Sequence, residues 1–116
     1  MADLSRLLDL RGAVAAGEFT PAGEIVSYKG DLPEEAARLI SKVAAANTLM
    51  GESEVEGFTR ITGRKWQPFH GWAMSAGDYS LCVIGHIAVY VETANADFND
   101  IYKVLAEEAH VVLKAA

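Results

Sequence analysis

The sequence predicts an α/β (α+β) sandwich: one five-stranded antiparallel sheet between helices, in the order helix–strand–strand–long helix–strand–strand–strand–helix. Three observations carry that prediction. Five short runs of strand-forming residues are separated by turn residues. One helical pattern, far longer than the others, lies between the second and third runs. The last two runs, Leu81 to Ile84 and Ile87 to Val91, are apolar at every position. A strand apolar on both faces is central and covered above and below, so helices must lie on both sides of the sheet.

Leu4, Leu7 and Leu8 recur at helical spacing behind Asp3, a capping residue, and Gly12 supplies a stop. Ala13 to Phe19 and Glu24 to Lys29 read as strands, joined through Thr20-Pro21-Ala22-Gly23 as a hairpin. In Gly30-Asp31-Leu32-Pro33-Glu34-Glu35 the long helix opens. Asp31 or the residue after it is the expected cap, Pro33 suits the first turn, and the glutamates complement the positive end of the dipole. Behind them Ala36, Leu39, Ile40, Val43, Ala46 and Met50 follow the i, i+3, i+4, i+7 rule and read as the tightly packed face. The pattern continues through Val55, Phe58 and Ile61 towards a stop at Gly63. Gly51 and Gly57 each cost about 1 kcal/mol against alanine, which makes either a candidate kink.

Strands are expected at about 68–75, 78–84 and 86–92, and turns as short as Ala76-Gly77-Asp78 and Gly85-His86 make them antiparallel. A final amphipathic helix begins near Ala96, capped by Asn95 or Asp97, with Phe98, Ile101, Tyr102, Val104, Leu105 and Ala109 inward. No repeat or linker interrupts residues 1–116, which read as a single domain.

Composition narrows the function. Ten Lys+Arg against sixteen Asp+Glu give a net charge of −6, which disfavours nucleic acid as a partner. The basic group Arg60, Arg64 and Lys65 reads as a solvated helix end. Apolar runs fall well short of the roughly 20 residues that span a bilayer, and the first turn has no signal-peptide core. One cysteine, Cys82, rules out an internal disulfide and fits a reducing cytoplasm. There is no Gly-rich phosphate loop and no serine elbow. His70, His86 and His110 stand far apart, without partners at metal-ligand spacing. Cys82 sits mid-strand among apolar residues, where desolvation raises a thiol pKa, so it reads as structural. No catalytic residue, metal or cofactor is expected.

Trp66, Phe69, Trp72 and Met74 cluster before and within the third strand. By strand alternation Trp72 and Met74 share one face with His70, while Phe69, Gly71 and Ala73 share the other. Such residues cover a core or an interface, where aromatics and Met are enriched. A strand that begins after a long connection is also a candidate sheet edge. This one carries no internal lysine to guard it.

The element order, residues Gly12 to Lys29, the Leu32-Pro33-Glu34-Glu35 helix start and the hairpin Gly77 to Gly85 resemble the Roadblock/dynein light chain superfamily. The stretches Ala45-Ala46-Asn47-Thr48, Glu56-Gly57-Phe58-Thr59, Gly71-Trp72-Ala73 and Val91 to Phe98 resemble, more narrowly, an uncharacterised prokaryotic domain-of-unknown-function branch of it. The resemblance implies a dimer through the long helix and the third strand, joining two sheets into one. Carried onto this sequence, the interface candidates are Val43, Ala46, Asn47, Met50, Phe69, Gly71 and Ala73. It also implies a scaffold or a regulator of small Ras-like GTPases, in prokaryotes within polarity or motility switches. The expectation is a cytoplasmic, non-catalytic homodimeric adaptor that binds a small GTPase or a multi-protein enzyme complex. The alternative is a small-molecule sensor of profilin-like plan, with a cavity lined by Trp72, Met74 and Tyr90.

Overall fold

The computed structural model describes residues 2–112. Its elements are α1 (Leu4–Leu8), β1 (Ala13–Phe19), β2 (Ile25–Gly30), α2 (Glu34–Thr62), β3 (Gly71–Ala76), β4 (Tyr79–Ile84), β5 (Ile87–Glu92) and α3 (Phe98–Glu108). A single 3-10 turn, Thr93–Asn95, precedes α3. The sheet order is β2-β1-β5-β4-β3, antiparallel throughout. The doubly apolar β5 is the middle strand, and β3 is an edge, as the sequence predicts.

Two cores follow from strand alternation. On one face Leu4 and Leu7 of α1 and Ile101 and Leu105 of α3 pack over Cys82, Ile84, Val89 and Val91. Arg6 fastens these two helices together, its Nη1 donating to Glu108 Oε2 at 3.0 Å and its Nη2 lying 3.2 Å from Glu107. On the other face Ala44 of α2 packs with Phe19, Val83 and Ala88, bordered by Trp72 and Leu81.

Asp3 caps α1, accepting from the Arg6 N–H at 3.2 Å, and Asp97 caps α3, accepting from the Asn99 and Asp100 N–H groups. The cap expected of Asp31 does not form. Pro33 is the N-cap of α2, with no side-chain cap bond, because Asp31 lies two residues too early; its N–H donates instead to the Val14 carbonyl of β1. Gly63 ends α2 in the left-handed conformation, φ 69°, its N–H donating to the Thr59 carbonyl. Between these ends α2 is one helix through both internal glycines. Neither glycine breaks it, since the backbone ladder needs no side chain. Phe98 and Tyr102 are exposed, not inward, since Ile101, Leu105 and Ala106 fill the stripe against the sheet.

The largest departure from the sequence reading is the rotation of α2. Its sheet-facing stripe is Ala37, Ser41, Ala44, Thr48, Gly51 and Val55. Leu39 is 64% exposed and Met50 60%, with Val43 and Ala46 also facing out. The reason is steric. Phe19, Trp72 and Leu81 rise from the sheet and fill the space, so the helix meets them with small residues. The two small polar residues in that stripe stay satisfied: Ser41 Oγ donates to the Ala37 carbonyl at 2.9 Å, and Thr48 receives a bond from Trp72.

α2 crosses the sheet from one edge to the other. Its N-terminal half lies beside the β1–β2 hairpin, where a Cβ on Gly23 would meet Lys42 and Ala45; Thr48 stands over β3. A helix of 29 residues is about 43 Å long at 1.5 Å per residue, whereas five strands span roughly 20 Å. The helix therefore outruns the sheet, and from Glu56 to Thr62 no side chain is buried.

Candidate functional site

A groove of about 310 Å³ runs between α2 and β3. It exists because β3 begins at Gly71, three residues later than its expected start at Pro68. Phe69 precedes the strand, escapes its alternation, and lays its ring against Gly51 of α2, so that a Cβ at Gly51 would fall on the ring. Phe69 thus lies on the α2 side with Trp72, not on the opposite face with Ala73. Trp72 Nε1 donates to Thr48 Oγ1 at 3.0 Å and holds the edge strand to the helix.

Four of the seven interface candidates line this groove: Asn47, Met50, Phe69 and Ala73, beside Trp72 and Met74. Val43 and Ala46 continue the outward stripe of α2. Gly71 sits at the start of the β3–β4 ladder, paired with Ile84, where an added Cβ would collide with the Val83 carbonyl and the Ile84 backbone.

The sequence reading did not find Thr48 and Gly51 as the anchors of β3. Nor did it find the outward exposure of Leu39 and of Ile61, which is 79% exposed. A usable signal was present. Ala37, Ser41, Ala44, Thr48, Gly51 and Val55 also recur at helical spacing, and a stripe of small residues suits close contact with a crowded sheet.

Among the described residues β3 pairs only with β4. Its sequence, Gly71-Trp72-Ala73-Met74-Ser75-Ala76, contains no charge, whereas the opposite edge, β2, carries Lys29. Natural sheets guard exposed edges with charge, and β3 lacks that guard. Beside it the exposed apolar residues of α2 continue through Leu39, Val43, Met50, Phe58 and Ile61. Trp66 does not join the groove. It folds back on the end of α2, its Nε1 donating to Thr62 Oγ1 at 3.2 Å and its ring 5.0 Å from Phe58.

Trp72, Met74 and Tyr90 do not share a cavity. Tyr90 packs at 5.1 Å from Tyr79 and borders a separate small cleft of about 30 Å³ beneath α2. The two are kept apart because α2 presses its small stripe onto the sheet between them. Among the described residues no group of three His, Cys, Asp or Glu side chains converges on a metal-sized site. His86 is exposed in its turn, edge-on to Phe19 at 5.6 Å. Cys82 is 3% exposed, and burial pushes its thiol pKa up. Among the described residues no helix is long and apolar enough to cross a membrane.

This is the α/β sandwich of the Roadblock/LC7 proteins, with an uncharged sheet edge and an apolar helix face beside it. A Roadblock/LC7 domain from Streptomyces avermitilis superposes with a TM-score of 0.74 at 16% identity, covering 92% of this chain and 88% of that one. The gliding protein MglB of Thermus thermophilus gives 0.65 at 16%, covering 92% and 85%. An MglB solved in a tetrameric arrangement gives 0.69 at 15%, covering 92% and 82%. At these identities the likeness establishes the fold. No curated protein matches the chain. By its sequence the chain belongs to the family described as "Uncharacterized conserved protein (DUF2173)", whose model matches residues 3–107.

Proposed function

We propose that the chain is a homodimeric adaptor that binds another protein, and that its family is a prokaryotic branch of the Roadblock superfamily. The observation that carries this reading is the outward apolar stripe of α2, which continues into the uncharged edge of β3. A face of this kind is costly to leave in water and marks a protein interface. Two copies joined edge to edge through β3 complete each other's ladder and cover both helices. The seven residues Val43, Ala46, Asn47, Met50, Phe69, Gly71 and Ala73 are the proposed contact set. An MglB in a tetrameric arrangement supports self-association on this fold.

The partner class that the resemblance supplies is a small Ras-like GTPase, with a multi-protein enzyme complex as the other. Affinity capture of the tagged protein from lysate of its source, with and without GTP, tests the reading. One stoichiometric partner captured in a GTP-dependent manner is the expected result. Recovery of the bait alone under both conditions contradicts it.

A further inference from the structure

We propose that the end of α2 and the turn behind it form a second binding surface, which recognises a short acidic segment of a partner protein. The carboxylates of that segment meet Arg60, Arg64 and Lys65, and its apolar side chain lies on Phe58, Ile61 and Trp66. The inference takes the class of partner from the adaptor reading. It adds a surface outside the α2–β3 groove and the chemistry of what binds there.

Charge is unevenly placed along the chain. Between Gly57 and Gly77 fall three of the ten Lys and Arg and none of the sixteen Asp and Glu. The three are Arg60, Arg64 and Lys65, at the end of the part of α2 that outruns the sheet, and all are exposed. Ion pairs among the described residues are made by Arg6 and Arg38. The three cations make none, although Glu56 precedes Arg60 by one helical turn.

Apolar surface stands beside this charge. Ile61 is the most exposed of the large apolar side chains described, and Phe58 and Trp66 are each 48% exposed. Phe58 and Ile61, three residues apart, are neighbours on the helix surface, and the Trp66 ring lies 5.0 Å from Phe58. The helix dipole accounts for cations near a last turn. It does not account for three large apolar groups left together in water beside them, which mark a contact surface.

The turn is preorganised. Gly63 takes the chain out of the helix, and Thr62 Oγ1 then accepts from the Arg64 N–H and from Trp66 Nε1, both at 3.2 Å. Thr59 Oγ1 accepts from the Trp66 N–H at 3.2 Å. The indole and the backbone that carries the cations are thus held in place before anything binds, which lowers the ordering cost of association. Because the indole N–H is already satisfied, its ring can be covered without stranding a donor. Size then selects the occupant. A nucleic-acid duplex or an anionic bilayer is negative over a wide area, so it also meets the carboxylates that dominate the rest of the chain. A short acidic segment engages the three cations alone, since charges farther than about 8 Å are screened at physiological salt. Arg and Trp are also the residue types enriched among those that dominate protein–protein binding.

Selection from a phage-displayed library of random peptides tests the proposal, with the triple variant Arg60→Gln/Arg64→Gln/Lys65→Gln as counter-target. Enriched peptides should combine Asp or Glu with an aromatic or large aliphatic residue. One of them, synthesised and followed by fluorescence anisotropy, should bind the wild type and lose about tenfold or more in affinity to the triple variant. Ile61→Ser, which leaves the charge unchanged, should also weaken it. Every variant changes exposed side chains only, so circular dichroism and sedimentation should match the wild type. No enrichment over the counter-target, enriched peptides without acidic residues, or binding that ignores Ile61→Ser overturns the proposal. A tip variant that changes the oligomeric state overturns it as well, by assigning the surface to self-association. Equal binding of a single-stranded oligonucleotide or of phosphatidylserine vesicles, lost in the triple variant, assigns the tip to phosphate instead. If lysate capture returns a partner but no peptide is enriched, the tip fails and the adaptor reading stands. If capture returns the bait alone while the peptide binds, the adaptor reading fails and the tip stands.

Discussion

Two glycine-to-alanine changes should shift stability in opposite directions. At Gly71 the new methyl meets backbone: the Val83 carbonyl oxygen and the Ile84 Cα of the neighbouring strand. Backbone cannot rotate aside, so β3 must lift from β4 where their ladder begins. Overpacking of this kind costs about 1–3 kcal/mol. Losing the adjacent Gly85 N–H to His70 carbonyl bond, 3.0 Å, adds about 1 kcal/mol. Replacing a strand glycine returns about 0.5–1 kcal/mol. The net loss is about 2 kcal/mol, or about 8 °C in Tm for a domain of this size. At Gly57 the added methyl meets nothing within 4 Å, and alanine should add up to about 1 kcal/mol through helix propensity. Urea denaturation at one fixed protein concentration measures both, as opposite shifts in midpoint at a common slope. If Gly71→Ala matches the wild type, the close approach of β3 to β4 at that residue is wrong.

Trp72→Phe keeps a ring in place but removes the donor to Thr48, and should cost about 1 kcal/mol. In a double-mutant cycle with Thr48→Val the two losses should not add, whereas additive losses would remove the bond from the account. Glu108 is held below the usual carboxylate range by the Asp3 N–H first and by the Arg6 guanidinium second. A depressed folded pKa contributes stability that is full above the ordinary glutamate range and disappears as pH falls through the folded value. The stability gap between wild type and Glu108→Gln should therefore be present near neutrality and close in acid; a gap independent of pH argues against the clasp. Native Cys82 should resist alkylation and react only on unfolding, as mass spectrometry of the labelled protein can establish.

Much of the fold was legible because its signals are local. Asp3 and Asp97 announce their helices, Thr20 to Gly23 announces a hairpin, and the unbroken apolar runs of β4 and β5 announce the middle of a sheet. The rotation of α2 was not legible in the same way. Two stripes of that helix have helical periodicity, and hydrophobicity alone selects the larger residues as the inward ones. What decides is the bulk of Phe19, Trp72 and Leu81 across the interface, which are distant in sequence and leave room only for small side chains. Phe69 escaped for a related reason: alternation holds only inside a strand, and the strand begins two residues later. The interface candidates are a different case. They came from resemblance: four of them line one groove, whereas Val43 and Ala46 lie on the outward stripe of α2 and Gly71 sits in the β3–β4 ladder.

Self-association through α2 and β3 is the central claim, and sedimentation of the wild type beside Met50→Glu tests it most directly. Met50 is 60% exposed in the single chain, so glutamate there should cost the fold no more than about 0.5 kcal/mol. Buried unpaired against a second copy, the same carboxylate costs several kcal/mol, more than a dimer of ordinary strength tolerates. The expected result is a dimeric wild type at micromolar concentration and a monomeric Met50→Glu that keeps its folded circular-dichroism spectrum. Two proteins that sediment alike, both monomeric or both dimeric, would contradict it.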